Sequence, residues 1–168
     1  MKVMYLNAWG IKLPQHFFPF VTEWVDKIDV FAFQEIFSSR TERIHDGAVT
    51  NGYEQLTSLL PGHHGLFAPS SSEFGYTGPV DFQLFFGLAL FVRKGLSIQS
   101  YTNSFIAGNY NAPILINGKP RGPRNMQGLE VPITISRCMS LTCMACGRAE
   151  GKATRRNVLN RPIKSCVT

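Results

Sequence analysis

Two side chains offer the most direct chemistry in this sequence. Asn7 ends the alternating run Lys2-Val3-Met4-Tyr5-Leu6-Asn7, and Glu35 ends the apolar run Asp29-Val30-Phe31-Ala32-Phe33-Gln34-Glu35. If both runs are strands and neighbours, Asn7 and Glu35 emerge on one sheet edge. A carboxylate there is a hard oxygen ligand suited to Mg²⁺, which keeps several waters and is held by one or two carboxylates. An amide beside it can donate to a phosphate oxygen and accept from a water. Spacing alone leaves a second reading open, with Glu35 a solvated strand-end acid and Asn7 a turn residue. His63-His64, beside Pro61-Gly62, is a formal metal pair, but adjacent loop histidines are expected to be solvated.

The elements that must position these residues follow from periodicity. Lys2 to Asn7 is a strand, followed by a turn at Gly10. Phe17 to Ile28 has helical spacing, with Pro19 as a first-turn proline. Asp29 to Glu35 reads as a buried strand that delivers Gln34 and Glu35 to its C-terminal end. Ser39 with Glu42 three residues on forms a capping box, which predicts a helix through about Val49. Glu54 to Leu60 predicts another helix, stopped by Pro61-Gly62. Pro69 to Pro79 is a Ser- and Gly-rich loop in which Tyr76 is available to a substrate. Asp81 to Val92 is a strongly apolar strand ending at Arg93-Lys94-Gly95, and Leu96 to Ile106 alternates like its partner. Gly108 to Pro123 reads as a loop, and Arg124 to Val131 as a last short strand. No internal repeat is visible. The order predicts a mixed α/β (α+β) architecture.

Composition bounds the answer further. The chain has 168 residues, 44% of them hydrophobic, which is enough for a core and excludes intrinsic disorder. No apolar run reaches the roughly 18 residues of a spanning helix, so no transmembrane segment is expected. The first residues turn polar too soon for a secretory signal. The formal charge of +6 is not spread over the chain. Residues 1–131 hold ten basic and ten acidic side chains, whereas residues 132–168 hold seven basic ones and only Glu150. All four cysteines (Cys138, Cys143, Cys146, Cys166) lie in that second segment, and all 20 aromatic residues lie before it. Two units are therefore expected, 1–131 and 132–168. Four cysteines without a signal fit a reducing, cytoplasmic setting. Nothing signals an oligomer.

Taken together, Lys2-Val-Met-Tyr-Leu-Asn-Ala-Trp-Gly and Asp29-Val-Phe-Ala-Phe-Gln-Glu resemble the opening of the endonuclease/exonuclease/phosphatase superfamily, the DNase I-like phosphoesterases. Gly87-Leu-Ala-Leu-Phe-Val-Arg-Lys and Arg124-Asn-Met-Gln resemble its later strands, so the likeness covers residues 1–131. It implies a partial four-layer α/β/β/α sandwich. It also implies that Glu35 binds a catalytic Mg²⁺, with Mn²⁺ as the alternative ion, and that Asn7 positions the metal shell and the scissile phosphate. Arg40 is placed where basic residues of some nucleases of the family reach a phosphate; its plain reading is a helix-surface arginine. The family also uses a downstream His, a D-x-N pair and a terminal D-H. Here no His follows His64 and no Asp follows Asp81. The resemblance thus implies the N-terminal part of a metal-dependent phosphodiesterase or phosphatase, weakly active or inactive as this chain. Its phosphoester substrate is nucleic acid, phosphoinositide or phospholipid, undecided by sequence.

Three readings of residues 132–168 are open. Cys138-x4-Cys143-x2-Cys146 with Cys166 matches a ferredoxin-type spacing and loosely a zinc site, which would make a cysteine-ligated metal protein. No aromatic residue is there to enclose a cluster. Arg155, Arg156 and Arg161 suit a basic arm on nucleic-acid phosphates, which would make a non-catalytic binding protein; solvated charge is its plain alternative. The favoured reading is an out-of-frame, disordered tail. Codons built from the third base of one residue and the first two of the next permit D-N-H-I-T-V-Y-V-T from the Pro132/Ile133 junction. From Leu141/Thr142 they permit H-L-H-G-L-W-S-G-R-G-K-S-D-T-E-E-R-I-E-Q-S. Many bacterial members of the family continue after R-N-M-Q with a strand, then H-G-L-W, G-K-x-D-T and R-x-x-Q-S.

Overall fold

A computed structural model of the chain describes residues 1–112, 114–116, 118–134 and 137–144. Its strands are β1 (Val3–Asn7), β2 (Val30–Ser38), β3 (Ile44–His45), β4 (Ala48–Val49), β5 (His63–Ser72) and β6 (Phe85–Arg93). They continue with β7 (Ser100–Ala107), β8 (Ile114–Ile116), β9 (Lys119–Arg121), β10 (Arg124–Thr134) and β11 (Arg137–Met144). The helices are α1 (Pro14–Trp24) and α2 (Gly52–Leu59), with a 3-10 turn at Trp9–Ile11.

Alternation along β2 and β6 builds the layers. Phe31 and Phe33 of β2, with Ala89 and Phe91 of β6, face one way and pack with Val21 of α1 and Leu56 of α2. Val30, Ala32, Leu90 and Val92 face the other way and meet Leu129 and Val131 of β10. Both faces of these strands are covered, which is why they read as continuous apolar runs. The first sheet has the order β1-β2-β6-β5, with β1 parallel to β2 and the other pairs antiparallel. The second is β11-β10-β7, all antiparallel. Helices, sheet and second sheet form three layers of the expected α/β/β/α sandwich among the described residues.

Several sequence expectations change. No helix follows Ser39. Residues 44–49 form the β3/β4 hairpin, and the Ser39 hydroxyl accepts from the Thr41 amide and donates to the Gln83 carbonyl instead of capping a helix. The cause is visible in Asp46-Gly47, where both residues take positive φ (53° and 75°), the two-residue turn that a hairpin prefers. The first-turn proline of α1 is Pro14, and Pro19 lies inside the helix. β5 runs on to Ser72, four residues into the expected loop, because it stays paired with β6 through a bulge at Ser70. β7 is not the partner of β6; it pairs with β10 in the second sheet.

β10 runs past Val131 to Thr134, and its backbone pairs with β11. Residues 145–168, with Cys146, Cys166, Arg155, Arg156 and Arg161, lie outside the described residues, and with them the cysteine-site and basic-arm readings. Among the described residues no helix is long and apolar enough to cross a membrane.

Candidate functional site

Because β1 and β2 are parallel neighbours, their C-terminal ends coincide, with Asn7 in register with Gln34. One residue later β2 departs from regular geometry. Phe33 lies opposite Ala89 and Ile36 opposite Gly87, so β2 carries one extra residue between them. Phe33 and Ile36 both belong to the helix-side core. The bulge therefore lifts Glu35, at φ 56°, out of the strand's alternation and leaves it half-buried at the sheet edge. Opposite this bulge, a Cβ on Gly87 would stand 2.1 Å from the Ala68 carbonyl oxygen, so β5 and β6 can close there only on glycine.

Both oxygens of Glu35 receive hydrogen bonds. Asn7 Nδ2 donates to Oε1 at 2.9 Å, and Tyr76 Oη donates to Oε2 at 3.2 Å. The Trp9 amide donates to Asn7 Oδ1 at 2.9 Å, which turns the Asn7 amide so that its nitrogen faces the carboxylate. Tyr76 comes from the loop between β5 and β6, with its ring edge-on to Phe37 and Phe86. Burial, then the Glu35 charge and the hydrogen bond to it, raise the Tyr76 phenol well above its ordinary value. It therefore remains a donor.

The loop that presents Tyr76 is held from the β3/β4 hairpin. Thr77 donates its amide and its hydroxyl to the Asp46 carboxylate, each at 2.9 Å. Burial acts to raise the Asp46 carboxyl, but the Thr77 donors and the adjacent His45 outweigh it, so the carboxyl titrates below its ordinary 3.8. Lys12 completes the surroundings. Its ammonium lies 4.5 Å from the Tyr76 ring centre and 5.0 Å from that of Trp9. Gly10, at φ 63°, leaves room for this arrangement, since a Cβ there would stand 2.9 Å from the Tyr76 ring.

Asn7 and Glu35 are thus brought together at one edge. Arg40 lies exposed in the turn after β2 and makes no hydrogen bond or ion pair among the described residues. His63 departs from expectation. It opens β5, is 6% exposed, and its Nε2 lies 3.1 Å from the Ile28 carbonyl, at the other end of β2 from Glu35. Burial, as the largest cause, lowers its pKa from 6.5. Sequence reading missed Lys12, Asp46 and Thr77; the Asp46-Gly47 pair was the available signal for the hairpin that anchors the loop.

Only the Glu35 carboxylate offers oxygen ligands here, since Asn7 turns its amide nitrogen toward it and its Oδ1 to the Trp9 amide. That set fits a hard ion that retains most of its water, such as Mg²⁺. It does not fit a soft metal, and no group of three His, Cys, Asp or Glu side chains gathers among the described residues.

No protein-family model matches the chain, and no curated protein matches it in sequence. Solved structures do match its fold. An endonuclease/exonuclease/phosphatase family protein from Leptotrichia buccalis superposes with a TM-score of 0.59 and 14% identity, over 85% of this chain and 54% of that one. An endonuclease/exonuclease/phosphatase from Beutenbergia cavernae gives 0.58 and 14%, over 84% and 37%. The human Nocturnin catalytic domain gives 0.52 and 16%, over 89% and 50%. The chain has the DNase I-like fold of these proteins and spans about half of their length or less.

Proposed function

We propose that this chain is the N-terminal part of a Mg²⁺-dependent phosphoester hydrolase and carries that enzyme's metal-binding edge. The observation that supports the reading is the bulged Glu35, turned out of β2 and held by Asn7 from the parallel strand β1. Glu35 would hold the ion, and Asn7 and Tyr76 would fix the carboxylate's orientation. When bound, Mg²⁺ supplies charge stabilisation on phosphoryl oxygens and lowers the pKa of a bound water. A general base is not supplied by a downstream histidine, since none follows His64. The chain by itself is therefore weakly active or inactive. Residues 1–131 balance ten cations against ten anions, so no broad basic face favours nucleic acid over phosphoinositide or phospholipid.

Manganese binding followed by electron paramagnetic resonance tests the site. One ion per chain is expected, bound at least about tenfold more weakly by Glu35→Gln. Equal binding by the variant would remove the basis of the proposal. A phosphodiester assay tests the second part: robust Mg²⁺-dependent turnover, lost in Glu35→Gln, would show the chain to be a competent enzyme.

A further inference from the structure

Lys12 sits in an unusual electrostatic position. Its ammonium is placed between the Trp9 and Tyr76 rings, and Tyr76 is the residue whose hydroxyl reaches Glu35. Ring quadrupoles attract a cation without cancelling its charge, whereas a carboxylate partner would neutralise it. No carboxylate among the described residues pairs with Lys12. Among the described residues this ammonium thus stands without a carboxylate partner on the aromatic wall that supports Glu35. The placement is also built into the backbone. Trp9, Gly10 and Ile11 are three consecutive residues at positive φ, and Ile11, 1% exposed, anchors the turn in the core.

We propose that Lys12 is a phosphate-binding residue of this site, with Trp9 and Tyr76 holding its ammonium toward the group that Glu35's metal ion would share. This rests on the reading of Glu35 as a phosphoester site and adds to it the residue that takes the anion. Trp9, 45% exposed, stands beside the ammonium and reports on it.

The test uses the full chain carrying Trp24→Phe, so that Trp9 is the sole indole, titrated with inorganic phosphate against sodium chloride at matched ionic strength. A saturable change in Trp9 emission is expected with phosphate and not with chloride. Loss of one charge-assisted hydrogen bond should weaken phosphate by about tenfold or more in Lys12→Met, and Lys12→Arg should restore most of it. If Lys12→Met does not melt cooperatively, Lys12→Gln replaces it. No saturable response, or an unchanged midpoint in the Lys12 variants, overturns the proposal. Repeating the titration with Mg²⁺ separates it from the reading it rests on. Mg²⁺ should tighten phosphate binding in the parent and not in Glu35→Gln. A Lys12-dependent response with no Mg²⁺ effect would leave Lys12 as an anion site and sink the metal reading. An Mg²⁺ effect indifferent to Lys12 would do the reverse.

Discussion

Trp9, Ile11 and Glu35 all carry left-handed backbone, a conformation that costs a non-glycine residue of order 1–3 kcal/mol and that clusters at functional sites. Ile11 is β-branched and should avoid it most, yet its buried side chain holds the turn in place. Asn7 and Glu35 were legible as neighbours because one ends an alternating run and the other an apolar run, and strand ends deliver side chains to an edge. Lys12 was not, and Tyr76 was expected only as a loop residue facing a substrate, since it meets Glu35 across 41 residues and only through loop closure. His63 shows the same limit in reverse: a loop-like context concealed a buried side chain whose Nδ1 has no hydrogen-bond partner among the described residues. Its lowered pKa has a consequence for stability. Because the unfolded chain binds the proton more readily, the stabilisation from neutral His63 is fully present above the unfolded value of 6.5. It is lost as pH falls from there through the folded value. Denaturant midpoints measured across this range should decline toward acid, and the decline should be shallower in His63→Gln. An identical slope in the variant would assign the acid sensitivity to other groups.

At the scale of elements, the site depends on a chain of loops. The β3/β4 hairpin presents Asp46, Asp46 holds Thr77, and Thr77 fixes the segment that carries Tyr76. The hairpin replaced an expected helix because local capping logic at Ser39 and Glu42 gave way to the Asp46-Gly47 turn and to Thr50. The Thr50 hydroxyl donates to the Thr41 carbonyl and accepts from the Arg43 amide. Removing the clasp should free the Tyr76 segment without unfolding the sheet. In Asp46→Ala, hydrogen exchange at the Thr77 amide is expected to speed up while amides of β2 and β6 keep their protection. Asp46→Asn, which tolerates the left-handed turn and retains one acceptor, should fall between. Uniform acceleration across all of these amides would mean that the hairpin supports the whole core and not the loop.

For the whole molecule, periodicity gave β1, β2 and β6 of the first sheet, the last two because both their faces are apolar, and left β5 unassigned. In the second sheet it gave β7 and β10 as strands but paired β7 with β6, and β10 carries polar residues into the interior. Asn125 and Gln127 are fully buried, and their amides donate to the Ala68 and Leu66 carbonyls of the edge strand β5. Such side chains close an open strand edge between layers, and nothing in their local sequence announces it. The same strand leads into the segment where charge, cysteines and aromatic residues all change character. β11 occupies Arg137–Met144, whose in-frame sequence, Arg-Cys-Met-Ser-Leu-Thr-Cys-Met, lacks aromatic residues and has one β-branched residue. The shifted-frame string at those positions, T-V-Y-V-T-H-L-H, has five β-branched or aromatic residues, the types that fit a pleated, half-buried surface. A strand closing the second sheet is better served by it. The coding DNA should therefore encode the shifted string one base out of register, and a different string in that frame would end the idea. The physical counterpart is a chain in which the 30-residue shifted string, beginning D-N-H-I-T-V-Y-V-T, follows Pro132. If the present sequence is a poor substitute, that chain should melt several degrees higher, since each kcal/mol moves the midpoint of a domain this size by roughly 2–4 °C. An equal or lower midpoint would mean that β11 as it stands already satisfies the sheet.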